Sequence, residues 1–230
     1  MMGRVIGTGA ARSTPWPEVA ALAGFGVLTL ALTAGVLLDL DVAVRDWCDT
    51  HQVKPLHVAA RGLIVLGSGN VLAPVALALA LVVAVRTRSG WPVLPVLAAV
   101  VAGNLVLVPL KMLFDRAAPH SPVPDPVLLF HHPPGWSYPS GHAANSVYFF
   151  GLLAMLLDRT GRAPLGRRTR RAIRVVPPVV VCVVFAYLGY HWLTDLAAGL
   201  LLGVFLDRLL QRVPGQAGAP APTPVTSRPG

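Results

Sequence analysis

The stretch Trp136-Ser137-Tyr138-Pro139-Ser140-Gly141-His142-Ala143-Ala144-Asn145 joins a run of turn-forming residues to an apolar segment that ends at Asp158. Pro139 suits the first turn of a helix, where its missing N–H needs no partner. The backbone N–H groups of Ser140, Gly141 and His142 would then point out of the helix start, where the dipole favours an anion. His142 also exchanges a proton near neutral pH. The stretch therefore predicts a phosphate site, although a capped helix with an interfacial histidine explains the same residues.

The composition is that of an integral membrane protein. Of the 230 residues, 54% are hydrophobic and 13% are charged, and the mean hydropathy is +0.64. A soluble domain usually carries about twice that charged fraction. Only two cysteines are present, Cys48 and Cys182, so neither a disulfide framework nor a cysteine metal site is indicated.

The apolar segments predict an all-α bundle of six transmembrane helices. The last one runs over 32 residues, 175–206. As one helix it would measure about 48 Å against about 30 Å of hydrocarbon, so we split it at Gly189 into two short spans. The other four predicted spans are residues 19–38, 62–85, 91–110 and 139–157. The membrane domain is then 16–212, with a cytoplasmic tail over 1–15 and a disordered cytoplasmic tail over 213–230.

Basic residues predict the orientation. If the N-terminus is inside, fourteen of the nineteen Lys and Arg residues fall in inner segments, and the positive-inside rule selects this topology with both termini inside. Residues 158–174 contain seven arginines, which we interpret as a cytoplasmic stop signal that contacts lipid headgroups, not as a nucleic-acid site. Lys111, residues 140–142, His191 and Asp195 then all lie at the outer membrane face.

His191 and Asp195 are four residues apart at a predicted helix start, so they share a face. A carboxylate on one imidazole nitrogen fixes the tautomer and leaves the other nitrogen free to attack phosphorus. His142 would protonate the leaving oxygen, and Lys111 would stabilise the phosphoryl charge. An interfacial hydrogen-bonded pair is the plainer interpretation of His191 and Asp195. Zinc binding by the two histidines and Asp195 fits by ligand type, but no metal spacing supports it, and no cofactor is predicted.

Three blocks resemble the signatures of the phosphatidic acid phosphatase type 2 (PAP2) superfamily: residues 111–119, 139–142 and 187–195. The resemblance implies a six-span lipid phosphatase in which His191 forms a phosphohistidine, Asp195 orients it and His142 is the acid. The resemblance also implies that Lys111, Ser140 and Gly141 bind the phosphate and that no metal takes part.

Two arginines of the family pattern are missing. Ala118 stands before Pro119 where the first block has arginine, and Val184-Phe185 stand where the third block begins Ser-Arg. We predict that Arg116 partly substitutes in binding phosphate.

The sequence therefore predicts a phosphatase that acts on a lipid phosphate or diphosphate at the outer leaflet of a bacterial cytoplasmic membrane. Candidate substrates are polyprenyl diphosphate, phosphatidylglycerol phosphate and phosphatidate. The protein is expected to contact membrane lipids, and no nucleic-acid partner is predicted. Two alternatives remain: a degenerate member that binds lipid phosphate or a partner without hydrolysis, and a transferase that moves the phosphoryl group between lipids.

Overall fold

The computed structural model describes residues 15–131, 135–160 and 163–212, which form α-helices joined by turns and short 3₁₀ segments. The eight helices of these ranges are α1 Trp16–Thr33, α2 Leu38–Thr50, α3 Lys54–Leu63, α4 Gly69–Thr87, α5 Leu94–Phe114, α6 Gly141–Thr160, α7 Arg167–Tyr187 and α8 Leu193–Leu210.

The helices α1, α4, α5, α6, α7 and α8 correspond to the six predicted spans. Three helical stretches are long and apolar enough to cross a membrane, namely 16–33, 69–87 and 91–114. The predicted break at Gly189 is present, because α7 ends at Tyr187 and Gly189 has a positive φ of 65°. Of the two predicted tails, only Pro15 lies within the described residues.

The polar segment 39–61 differs from a simple connection, because it forms α2 and α3. In α2, Asp41 and Cys48 are buried while Asp46 and Trp47 are exposed. A spacing of seven residues places Asp41 and Cys48 on one helix face. The amphipathic pattern is hard to find in the sequence because one of the two inward residues is a carboxylate.

The helix α6 lies at the centre of the bundle, packed between α4, α7 and α8. It approaches α8 closely because Gly199 and Gly203 present bare backbone to it. A Cβ at Gly199 would lie 2.3 Å from Ser140 O, and one at Gly203 would lie 2.8 Å from Val147 Cβ. Small residues four apart are a common way for membrane helices to approach. The first turns of α6 and α8 therefore lie side by side.

The connecting segment between α5 and α6 is anchored to α1 by Tyr138. Its side chain is fully buried, its ring stacks on Phe25 with centroids 6.1 Å apart, and its hydroxyl lies 2.7 Å from Thr29 Oγ1. On the α8 side, the Trp192 indole N–H donates to Ala117 O at 2.9 Å. Both contacts fix this segment over the ends of α6 and α8.

Candidate active site

Asp195 is the third residue of α8, and its carboxylate meets His191. Asp195 Oδ2 lies 3.5 Å from His191 Nδ1 and accepts the Trp192 N–H at 2.9 Å, which caps the helix. Ser137 Oγ donates to the same oxygen at 2.5 Å and lies 3.2 Å from His191 Nδ1. These acceptors favour a proton on Nδ1, which leaves Nε2 unprotonated and able to act as a nucleophile.

His142, the second residue of α6, faces that free nitrogen. Its Nδ1 lies 3.4 Å from His191 Nε2. On its other side the His142 ring packs on Phe185, with centroids 4.3 Å apart. Phe185 stands at one of the two positions where the sequence pattern lacks arginine, so an aromatic ring borders the site there in place of a guanidinium.

Ser140 takes a different place from the one predicted. It is fully buried, its N–H donates to Asp195 O at 3.0 Å, and its hydroxyl accepts the Ala143 N–H at 3.3 Å. Both groups are therefore used to cap α6 and to tie it to α8. The N–H of Ser140 does not point to a phosphate, because the Asp195 carbonyl already accepts it.

Gly141, His142 and Lys111 form the part of the site that remains able to hold an anion. In the described part of the chain, the backbone N–H groups of Gly141 and His142 have no acceptor. Lys111, in the last turn of α5, lies beside them: a Cβ at Gly141 would be 3.6 Å from Lys111 Cε. The Lys111 ammonium donates to the Trp136 carbonyl.

Arg116, for which a phosphate contact is predicted, is fully buried, and its guanidinium donates to four protein groups. Nη1 donates to Asp195 Oδ1 at 2.6 Å and to Thr194 Oγ1 at 2.8 Å. Nη2 donates to Asp41 Oδ2 at 2.6 Å and Nε to Val127 O at 2.9 Å. Burial alone would lower the pKa of Arg116, but the two carboxylates outweigh it and raise the pKa, so the guanidinium stays charged.

Asp41 reaches the same network from α2. Its carboxylate accepts the Thr194 N–H at 2.9 Å, the Thr194 hydroxyl and the Arg116 guanidinium. Asp41 thus holds the first turn of α8, where Asp195 lies, from the side opposite to His191. An intramembrane or buried carboxylate in an otherwise apolar stretch is a signal for such a role, and the Leu38-Asp39-Leu40-Asp41-Val42 stretch contained it.

Two cavities border the histidine pair. The first, about 550 Å³, lies under the connecting segment and is called the loop cavity. The second, about 570 Å³, lies between α4, α5 and α6 and is called the interhelical groove. His191, Ser137, Ala118, Ser121 and His131 line the loop cavity, whereas Lys111 and His142 line the interhelical groove. His191 and His142 therefore open to different spaces.

The structure brings together His142, His191, Asp195, Lys111 and Gly141. No role is predicted from the sequence for Ser137, although it belongs to the stretch that begins at Trp136. Its hydroxyl lies between His191, which precedes α8, and Asp195 in the first turn of α8, and nothing local to Ser137 indicates that contact.

Residues 92–218 match the family model of the PAP2 superfamily. Over 195 residues the chain is 24% identical to phosphatidylglycerophosphatase B of Bacillus subtilis (strain 168), across 81% of this chain and 89% of that protein. The fold is similar to the crystal structure of the first transmembrane PAP2 type phosphatidylglycerolphosphate phosphatase from Bacillus subtilis, with a TM-score of 0.72 and 22% identity. That similarity covers 85% of this chain and 94% of the other.

Proposed function

Because this chain belongs to the PAP2 superfamily, we propose that it hydrolyses a lipid phosphate ester through a phosphohistidine intermediate. The observation that carries the proposal is the histidine pair, with His142 Nδ1 at 3.4 Å from His191 Nε2. Asp195 and Ser137 hold the other nitrogen of His191. The similar proteins of Bacillus subtilis are described as phosphatidylglycerophosphate phosphatases, which supports this lipid as a substrate ahead of phosphatidate and polyprenyl diphosphate.

In the proposed first step, His191 Nε2 attacks phosphorus and forms the N–P bond. The P–O bond to the lipid breaks, and His142 gives its proton to the departing oxygen. In the second step His142 takes a proton from water, which attacks phosphorus and breaks the N–P bond. Inorganic phosphate leaves and both imidazoles return to their starting states.

The cavities support a direction for the two steps. His142 lines the interhelical groove, so the leaving lipid alcohol would be protonated on the side where the lipid lies. Because water must attack phosphorus opposite the N–P bond, it would take the place that the alcohol left, beside His142, which accepts its proton. The N–H groups of Gly141 and His142 and the Lys111 ammonium would stabilise the phosphoryl oxygens.

We assign Arg116 a positioning role. Its guanidinium binds Asp195 on the oxygen that His191 does not use. A buried carboxylate without a partner is costly, and Arg116 removes that cost while keeping Asp195 ionised. We propose this positioning role in place of the phosphate contact predicted from the sequence.

The proposal includes six spans, with both termini inside and the site at the outer face of a bacterial cytoplasmic membrane. The arginine-rich start of α7 supports it, because this helix of 21 residues separates Arg167 from the end near His191. At 1.5 Å per residue the distance is about 30 Å, the thickness of the hydrocarbon core.

Phosphate release by the purified protein tests the function. The substrates are phosphatidylglycerophosphate, phosphatidate and polyprenyl diphosphate, and the control is the His191→Ala variant. Release by the wild type and none by the variant is expected. Equal release by both would contradict the mechanism. If the wild type binds the lipid but releases no phosphate, a binding protein would be favoured. The absence of arginine at positions 118 and 185 would then account for the lack of hydrolysis.

A further inference from the structure

All three asparagines of the chain line the same cavity. Asn70, Asn104 and Asn145 come from α4, α5 and α6 respectively, and each borders the interhelical groove. The three asparagines are far apart in the sequence, so it is the fold that brings their amides together.

The groove begins at the catalytic groups and runs down between the helices. Asn145 is three residues after His142 on α6, and Asn104 is seven residues before Lys111 on α5. At 1.5 Å per residue, these amides lie about 4 to 5 Å and about 10 Å from the level of the phosphate site. That depth corresponds to the part of a lipid that follows its phosphate.

The α6 side of the groove packs directly against glycine backbone of α4 and α5. A Cβ at Gly69 would lie 2.7 Å from Asn145 Nδ2, and one at Gly103 would lie 2.6 Å from Tyr148 Oη. Tyr148 in turn donates to Asn145 Oδ1. The polar groups of α6 are thus fixed in place, with one N–H of Asn145 bound to Gly67 O at 3.4 Å.

The other two amides have hydrogen-bonding capacity left over. Asn104 donates to Val100 O at 2.8 Å, but among the described residues nothing donates to its Oδ1, and the Asn70 amide has no partner. Asn104 is exposed on α5, a helix that is long and apolar enough to span a membrane. An amide that faces hydrocarbon without a partner is costly, so a polar ligand group is the natural partner.

We infer that Asn70 and Asn104 bind the hydrogen-bonding groups that follow the phosphate, and that they select glycerol-based lipid phosphates over polyprenyl phosphates. The inference rests on the proposed function. A glycerolipid carries ester carbonyls, and phosphatidylglycerophosphate adds a hydroxyl and a phosphodiester close to the reacting phosphate. A polyprenyl chain offers no such group beyond its phosphate, so it leaves both amides without a partner in an apolar surrounding, and a site built to bind a polar group discriminates against a substrate that lacks it.

The test compares kcat/KM for phosphatidylglycerophosphate and for a polyprenyl monophosphate, in the same detergent. The variants are Asn104→Leu and Asn70→Leu, which keep side-chain size and remove the amide. The control is Val101→Leu, an exposed position of α5 that does not line the groove. Each asparagine variant should lose about 3- to 10-fold on the glycerolipid, the effect of one hydrogen bond, and nothing on the polyprenyl substrate.

The polyprenyl reaction reports whether each variant is folded and chemically competent. An equal fall on both substrates, or no fall on either, would overturn the asparagine inference and leave the proposed function standing. A wild type that releases phosphate from neither lipid would overturn the proposed function, and the inference with it.

Discussion

Arg116 Nη1 lies 2.6 Å from Asp195 Oδ1, and both side chains are completely buried. The contact joins the segment after α5 to the first turn of α8, across 79 residues of sequence. Since Asp195 uses its other oxygen toward Ser137 and His191, Arg116 is connected to His191 through one intermediate residue.

Replacing Arg116 with Lys should lower kcat by about 100-fold, the cost of a misplaced catalytic group, and leave KM within about 2-fold. A lysine keeps the charge but cannot reach Asp41 and Asp195 together. A phosphate contact would instead raise KM. Steady-state kinetics separate these outcomes, and Asp41→Asn, which weakens the same network without touching Asp195, should lower kcat in the same direction.

Acid-quenched reactions with ³²P-labelled lipid phosphate should trap label on the wild type. His191→Ala should carry none, because it lacks the attacking nitrogen. Asp195→Asn should carry label that forms slowly, since the amide favours the wrong imidazole tautomer. Label of normal intensity on His191→Ala would place the nucleophile elsewhere. Ser121→Ala, which alters the same loop cavity, serves as the control.

The loss in His142→Ala should depend on the leaving group. A lipid alcohol needs protonation as it departs, so its hydrolysis should fall by about 10² to 10⁴-fold. An aryl phosphate such as p-nitrophenyl phosphate has a good leaving group and should lose much less. The same loss on both substrates would contradict the acid role, and His131→Ala, a histidine that borders the loop cavity and not the interhelical groove, is the control.

Ala118→Arg should raise turnover. Ala118 lines the loop cavity together with His191, so a guanidinium at this position reaches the phosphoryl group. One preorganised donor of this kind contributes on the order of 10²- to 10³-fold, of which we expect a new arginine to recover about 10-fold. Ser121→Arg adds the same charge to the same cavity, and an equal gain there would indicate a general charge effect.

Cysteine labelling tests the orientation. In a background in which Cys48 and Cys182 are replaced by alanine, Pro124→Cys should react with an impermeant maleimide in intact cells. Gly166→Cys should react only after permeabilisation. Both residues are exposed in the structure, so a difference between them reports the side of the membrane, and the reverse pattern would place the site in the cytoplasm.

The features that could be predicted from the sequence are those that depend on residues close together in the chain. Long apolar segments gave the helices α1 and α4 to α8, and Gly189 gave the break between α7 and α8. The pair His191 and Asp195 followed from its spacing of four. The ion pairs of Arg116 could not be predicted, because its partners Asp41 and Asp195 are distant in sequence and a charge near a phosphate motif is readily interpreted as a phosphate ligand.

The glycines of α8 limit how the enzyme can be redesigned. At Gly199 and Gly203 the backbone of α8 touches α6 without an intervening side chain, so even one added methyl group would separate the helices that hold His142 and His191. Substitutions at these two positions should therefore give inactive proteins, whichever side chain is introduced. Among the described residues, the linings of the two cavities offer room for selection of new substrates, because a changed side chain there need not separate α6 from α8.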